Sequence, residues 1–403
     1  MGSLKLNKLQ VLFALAALSV FPIQAQAVAY VQCPGQDPSG NAVSTTPGVR
    51  CMHLSAGDGF LTMADGRVLY SFGFADMTGL PQDQAIAQGI LAATAPAPTI
   101  ELKEGDQFYL SLTNVGMAMR PDLFDAHSVH FHGFPQAAPV FDGMPDGSFG
   151  INMKSSLTYF YNVIEPGTFM YHCHVEATEH MQMGMLGNLY VTPKQDGTPI
   201  SYQNRTYTRF VYNDGDGSTG YDKSYPLQLS SMDHLFHEMH LSIQPLPFAH
   251  MQDTYFMING RSYPDTVNPA ALPAPVENGG LPAQKMSSLI QLNRATEGER
   301  LLLRLSNLSV TNFFTMTALG LPMKVVGSGA RIARGPEPAP GVAGKDLSIN
   351  TSSVTLGGGE SADVIIDTAG VPAGTYFLYT TNLNYLSNND QDFGGVMTEI
   401  VIQ

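Results

Sequence analysis

Apolar and polar side chains alternate along much of this chain. In Gln107–Asn114, Phe108, Leu110 and Leu112 take every second position, the period of a strand with one buried face. The run follows Glu104-Gly105-Asp106. The same phrase returns as Glu297-Gly298-Glu299, with Leu301, Leu303 and Leu305 alternating up to Asn307. A second phrase, Glu165-Pro166-Gly167-Thr168-Phe169-Met170-Tyr171, returns as Pro372-Ala373-Gly374-Thr375-Tyr376-Phe377-Leu378-Tyr379. Both repeats are offset by about 200 residues, which indicates two β domains of one type rather than a solenoid. Short strands punctuated by 40 Gly and 27 Pro predict an all-β chain of two Greek-key sandwiches or barrels. The first domain is expected at 28–195 and the second at 205–403, joined by a polar stretch from Pro193 to Arg205.

The first 27 residues read differently. Lys5 and Lys8 precede an apolar run from Val11 to Pro22, and Ala25-Gln26-Ala27 offers a small-x-small cleavage site. That is the pattern of a secretory signal peptide. The apolar run is short of the roughly 20 residues that span a bilayer, and no later segment is apolar enough. A secreted or periplasmic protein without a membrane span is expected. The net charge of −14, more negative once Lys5 and Lys8 are removed, argues against nucleic acid and anionic membranes as partners. In an oxidising compartment Cys33 and Cys51, close together near the mature N-terminus, can form a disulfide. Cys173 is then left unpaired, and its neighbours explain it.

Six of the eleven histidines fall between residues 127 and 180. One group is His127-Ser128-Val129-His130-Phe131-His132-Gly133. The other is Tyr171-His172-Cys173-His174, followed by His180 and Met185. On a strand, His172 and His174 point one way and Cys173 the other. His130 and His132 share a face, and His127 has the opposite parity. Two sets result. Two imidazoles and a thiolate with a weak axial thioether make an electron-transfer copper site; His127, Cys173, His180 and Met185 fit it, with Met181 and Met183 as competing axial donors. A structural zinc site would want four Cys or His ligands. The second set, His130, His132, His172 and His174, offers four imidazoles to further copper. His172-Cys173-His174 joins the two sets through a few covalent bonds.

His127-x-x-His130-x-His132-Gly133 and His172-Cys173-His174 resemble the copper motifs of the multicopper oxidases, whose wider family includes laccases and copper nitrite reductases built from cupredoxin domains. The resemblance implies type 1 copper on His127, Cys173, His180 and Met185, and a type 2/type 3 cluster on His130, His132, His172 and His174. It also implies that Asp142, in the Phe141-Asp142-Gly143 turn, helps move protons near that cluster. A complete cluster takes eight histidines, and in two-domain members the remainder come from a neighbouring subunit of a trimer. Here no histidine follows His250, and Thr380, Thr381 and Asn382 stand where the second domain repeats His172-Cys173-His174. His53, His234, His237, His240 and His250 are the remaining candidates. The spacing of His234, His237 and His240 places them on one side of a short helix, as possible ligands or as a solvated polar face.

The function expected is that of an oxidase. A small-molecule, metal-ion or protein reductant gives single electrons to the copper at Cys173, and the second site reduces oxygen to water. Two rivals stand beside it: a copper nitrite reductase, weakened because those enzymes carry aspartate where His130 stands, and a non-enzymatic electron carrier or copper-handling protein.

Overall fold

The computed structural model describes residues 33–35, 43–134, 137–243, 245–293, 298–339 and 342–403. The expected leader, residues 1–27, lies outside them. The chain is mostly β. Its first half forms β1 (Val49–Thr62), β2 (Val68–Asp76), β3 (Ala97–Lys103), β4 (Gln107–Gly116), β5 (His130–His132), β6 (Ser156–Asn162), β7 (Gly167–His172) and β8 (Leu186–Thr192). These make two four-stranded sheets, ordered β2-β1-β4-β6 and β3-β8-β7-β5. β1 runs parallel to β4 and β3 parallel to β8, while β7 is antiparallel to β8 and to β5. Parallel neighbours in an otherwise antiparallel sandwich require strands to cross between sheets, which is a Greek-key course.

The second half repeats this plan with more strands: β9 (Ile200–Tyr202), β10 (Arg205–Tyr207), β11 (Lys223–Met232), β12 (Tyr255–Ile258), β13 (Ile290–Leu292), β14 (Arg300–Asn307), β15 (Phe314–Ala318), β16 (Met323–Ser328), β17 (Arg331–Ile332), β18 (Ile349–Thr351), β19 (Val354–Leu356), β20 (Glu360–Asp367), β21 (Gly374–Thr380) and β22 (Met397–Ile402). β9 pairs with β10 as a separate hairpin. The others form one sheet ordered β12-β11-β14-β20-β16-β17, with β18 on β16, and a second ordered β13-β22-β21-β15-β19. β14 lies parallel to β11 as β4 does to β1, and β13 parallel to β22 as β3 does to β8. β21 is antiparallel to β22 and β15, as β7 is to β8 and β5. The two repeated sequence phrases thus occupy equivalent places in two cupredoxin-like sandwiches.

The alternation read from the sequence is the inward pattern. Phe108, Leu110 and Leu112 are buried with Tyr159, Phe169, Tyr171 and Leu189 in the first core, and Cys173 and Met185 belong to that same core. Leu301, Leu303 and Leu305 are buried with Leu227, Ile366 and Leu378 in the second. Cys33 and Cys51 form the expected disulfide, which ties the N-terminal segment to β1.

A buried charge pair helps join the halves. Arg304 on β14 and Asp363 on β20 are both fully buried, with a nitrogen and an oxygen 3.6 Å apart. Asp363 accepts hydrogen bonds from Tyr212 and from Thr168 of β7, each at 2.6 Å. The Arg304 guanidinium lies over the ring of Tyr190 on β8 at 4.7 Å. Removing one member of such a pair strands the other charge in a low-dielectric interior. Asp363→Ala is therefore expected to lower the stability of the metal-free protein by about 3–5 kcal/mol, read from the midpoint of urea unfolding. A loss below about 1 kcal/mol would show that the pair is not what joins the sandwiches there.

Candidate copper centres

The histidine motifs converge at one end of the first sandwich. β5 pairs with β7 so that His130 stands opposite His172 and His132 opposite Met170. Cross-strand partners share a sheet face, so His130, His132 and His172 project together. The His130 ring lies 5.4 Å from those of His132 and His172 and 4.8 Å from that of His174, centroid to centroid.

Each Nδ1 of the first three faces a backbone carbonyl: Asp142 O at 2.6 Å from His130, Gly359 O at 3.2 Å from His132, and Cys173 O at 2.7 Å from His172. A neutral imidazole that donates from Nδ1 keeps its lone pair on Nε2. Nε2 of His132 and Nε2 of His172 then face each other 2.9 Å apart. Two lone pairs at that distance call for positive charge between or beside them. Burial lowers the pKa of His130 and His132 and takes His172 to about 3. The rings are thus neutral and available to a metal rather than protonated.

Two glycines fit this set to its surroundings. Gly143 has φ +75° and its missing Cβ would lie 2.1 Å from the carbonyl oxygen of Val129, so only glycine lets the Phe141-Asp142-Gly143 turn close against the histidine strand. The Asp142 carbonyl, more than its carboxylate at 3.6 Å, meets His130. Gly359, with φ +86°, comes from the second sandwich and would place a Cβ 2.7 Å from the His132 ring.

The other set lies inside the core. His127, Cys173 and His180 are fully buried. Cys173 Sγ is 3.2 Å from His180 Nδ1 and 3.8 Å from His127 Nδ1, and the Ser128 N–H points at the sulfur from 3.4 Å. The sequence placed both Cys173 and His127 on strands. β7 ends at His172 instead, and His127 makes only an isolated bridge to Ile151. The opposite facing of Cys173 and His172 survives, because backbone pairing continues one residue further. The Cys173 N–H donates to Met185 O at 3.1 Å, and the Met185 N–H to His180 O at 2.9 Å. Between them a short helix, Ala177–Gln182, carries His180. The loop therefore returns Met185 beside Cys173. Met183 and Met185 share the fully buried core with Cys173, whereas Met181 packs on Met170, Leu186 and Leu308. Met181 is thereby set apart from the other two sulfurs.

Burial pushes the Cys173 thiol up to about 12 and takes His180 down to about 4, with His127 well below the ordinary histidine range. No cationic side chain among the described residues contacts Sγ. A thiolate there needs a metal, and one thiolate, two imidazole Nδ1 atoms and a neighbouring thioether are a donor set that fits copper.

Models of the multicopper oxidase family match residues 80–196 and 237–403. The chain belongs to this family. Membership implies copper cofactors, type 1 copper among them. It is 34% identical over 108 residues to copper resistance protein A of Pseudomonas syringae pv. tomato, covering 27% of this chain and 16% of that one. It is 30% identical over 129 residues to laccase abr2 of Aspergillus fumigatus, covering 32% of this chain and 20% of that one. These matches span a fifth or less of the curated relatives. Among solved structures, the fold resembles blue copper oxidase from Nitrosomonas europaea (TM-score 0.61, 22% identity, 87% of this chain and 85% of that one). It also resembles copper nitrite reductase from the same organism (TM-score 0.55, 16% identity, 88% and 93%).

The remaining histidines do not join the four-imidazole set. His53 is buried against Thr113, His234 bonds Thr254, and His250 sits exposed on a short turn. His237 is fully buried between the carbonyls of Tyr70 and Gln182. His240 is also buried, facing Glu179. The helix His234–Met239, which His240 caps, is therefore not a solvated face; it packs against β2 and the Cys173–Met185 loop. Sequence spacing did not single out Gly359, Ser128 or Asp125, because each acts through contacts distant along the chain.

Gly359→Ala is expected to displace the His132 ring and strain a left-handed backbone. Copper bound per chain should fall by at least one equivalent while the blue absorption at Cys173 persists. An unchanged copper count would mean that the His132 ring and its contact with Gly359 do not matter to metal uptake.

Proposed function

We propose that this protein is a secreted or periplasmic multicopper oxidase of two domains, 28–195 and 205–403, acting as a homotrimer. In this reading His127, Cys173, His180 and Met185 hold type 1 copper, and His130, His132, His172 and His174 hold copper of the type 2/type 3 kind. When bound, the coppers supply single-electron uptake from a reductant and the reduction of oxygen to water. The polypeptide supplies the rest. Burial keeps water from the Cys173 sulfur, the carbonyls of Asp142, Gly359 and Cys173 fix the imidazole tautomers, and the Asp142 carboxylate beside His130 is placed to hold a proton. The observation that carries this reading is His172-Cys173-His174: one peptide segment places a sulfur in the buried set and an imidazole in the four-histidine set, so the two are separated by a few covalent bonds.

Copper analysis, visible and spin-resonance spectra and oxygen uptake with an organic reductant test it together. More than one copper per chain, a blue band and reductant-dependent oxygen uptake are expected. A single blue copper without oxygen uptake would make it an electron carrier, and nitric oxide from nitrite would make it a nitrite reductase. Cys173→Ser should abolish the blue band entirely. The metal-free fold should lose no more than about 1–3 kcal/mol, the cost of a poorly bonded buried hydroxyl. Retention of the band would remove Cys173 from the site.

A further inference from the structure

The β9–β10 hairpin lies against the second sandwich where β14 begins and β20 ends. An open cavity of about 120 Å³ sits there, with Tyr202, Gln203, Arg300, Lys324, Asn350 and Asp367 in its wall. Arg300 is its buried member. Its side chain is 4% exposed, and its guanidinium lies over the rings of Tyr202 and Tyr207 at 5.4 and 5.1 Å. Nη2 donates to Ser218 O at 2.9 Å, whereas Nη1 and Nε are buried without a hydrogen-bond partner. Arg205 Nη1 is in the same condition. Both guanidinium groups face Asp367, Arg300 Nε at 3.7 Å and Arg205 Nη1 at 3.5 Å, too far for good hydrogen bonds. The other carboxylates nearby are engaged. Asp222 accepts from Arg205 Nη2 and from the Arg300 N–H, each at 2.7 Å, and Asp346 faces Lys324 Nζ at 3.3 Å. Asp367 Oδ1 accepts the Ala369 N–H at 3.0 Å, which leaves Oδ2 for a further donor. Buried N–H groups in native proteins find partners, so the unmatched guanidinium donors call for an acceptor in this cavity.

We propose that the cavity binds a small tetrahedral oxyanion that still carries a proton, of which hydrogen phosphate is the type. The space is well below the roughly 300 Å³ of an ordinary organic-ligand pocket. A guanidinium presents its N–H groups in the planar fork that phosphate oxygens match, and an ammonium adds a point charge; Arg300 and Lys324 supply one of each. The Gln203 and Asn350 amides and the Tyr202 hydroxyl add neutral donors. Asp367 decides which oxyanion enters. A carboxylate in the wall repels an anion that shows it only lone pairs. At neutral pH phosphate keeps a P–OH group, which can donate to Asp367 Oδ2, whereas sulfate keeps none. The same carboxylate thus attracts one oxyanion and rejects the other. Occupancy would tie β9–β10 to β14, β16 and β20. The site draws on no copper-ligand candidate and stands apart from the oxidase reading.

Calorimetry on the copper-loaded protein at neutral pH, with inorganic phosphate and with sulfate at equal ionic strength, tests it. Phosphate is expected to bind at one equivalent per chain, and sulfate at least tenfold more weakly. Lys324→Met, at a side chain one quarter exposed, should weaken phosphate at least fivefold. Arg300→Gln should abolish binding; if that variant does not fold, Lys324→Met carries the decision. Asp367→Asn gives the wall an amide that donates as well as accepts, and should bring sulfate to within about threefold of phosphate. No saturable phosphate binding by the wild type, or an affinity that Lys324→Met leaves unchanged, overturns the site. Sulfate binding as tightly as phosphate to the wild type overturns the selection by Asp367 and leaves an adventitious ion only.

Discussion

Burial holds the Cys173 sulfur as a neutral thiol in this fold until a metal arrives. It is fully buried, and its polar neighbours are the Nδ1 atoms of two buried imidazoles, the Ser128 N–H and the Val175 carbonyl. Desolvation pushes the thiol up and the imidazoles down, so the group is a set of neutral donors until a cation arrives. The surrounding core, in which Cys173 packs with Met185 and the aromatic residues of the first sandwich, leaves the donors little space to repack. Metal binding at such a site exchanges a desolvated thiol for a bond, and the rigid wall limits which geometry that bond takes.

The same constraint orders the four-histidine set. Because β7 and the Met185 backbone fix the chain at residue 173, His172 and His174 must leave on the other side. The partner of His172 on β5, His130, is set by strand register, and the carbonyls that orient the rings of His130, His132 and His172 come from three places: the Asp142 turn, Gly359 of the second sandwich, and Cys173 itself. The second half thus repeats no histidine motif yet helps shape the four-histidine set. Its other contributions are mechanical and electrostatic: Arg304 and Asp363 join it to β7 and β8, and the helix bearing His237 and His240 closes over the Cys173–Met185 loop.

Much of this was legible before folding. Alternating leucines gave β4 and β14, and the paired phrases gave equivalent strands in two sandwiches, because a half-buried strand imprints a period of two on its residues. The two sets of ligand-capable side chains were also legible: backbone alternation puts neighbouring side chains on opposite faces whether or not the ladder continues. Cys33 with Cys51 followed from proximity in the chain. Only the packing sets Met181 on Leu308, a residue of the other half, apart from Met183 and Met185 in the core with Cys173.

The sequence by itself determined the class of fold, the repeat and the candidate ligand side chains, since these depend on local period and on side-chain chemistry. Tertiary structure alone decided which Nε2 atoms face each other, that Gly359 must lack a side chain, and that His237 and His240 are buried away from the four-histidine set. It also brought Asp125 to the Nε2 edge of His180, and His240 to Glu179. Those are contacts between segments tens to hundreds of residues apart, and no local period encodes them; some exist only once the first sandwich has closed, and those of Gly359, His237 and His240 only once the two halves have packed together.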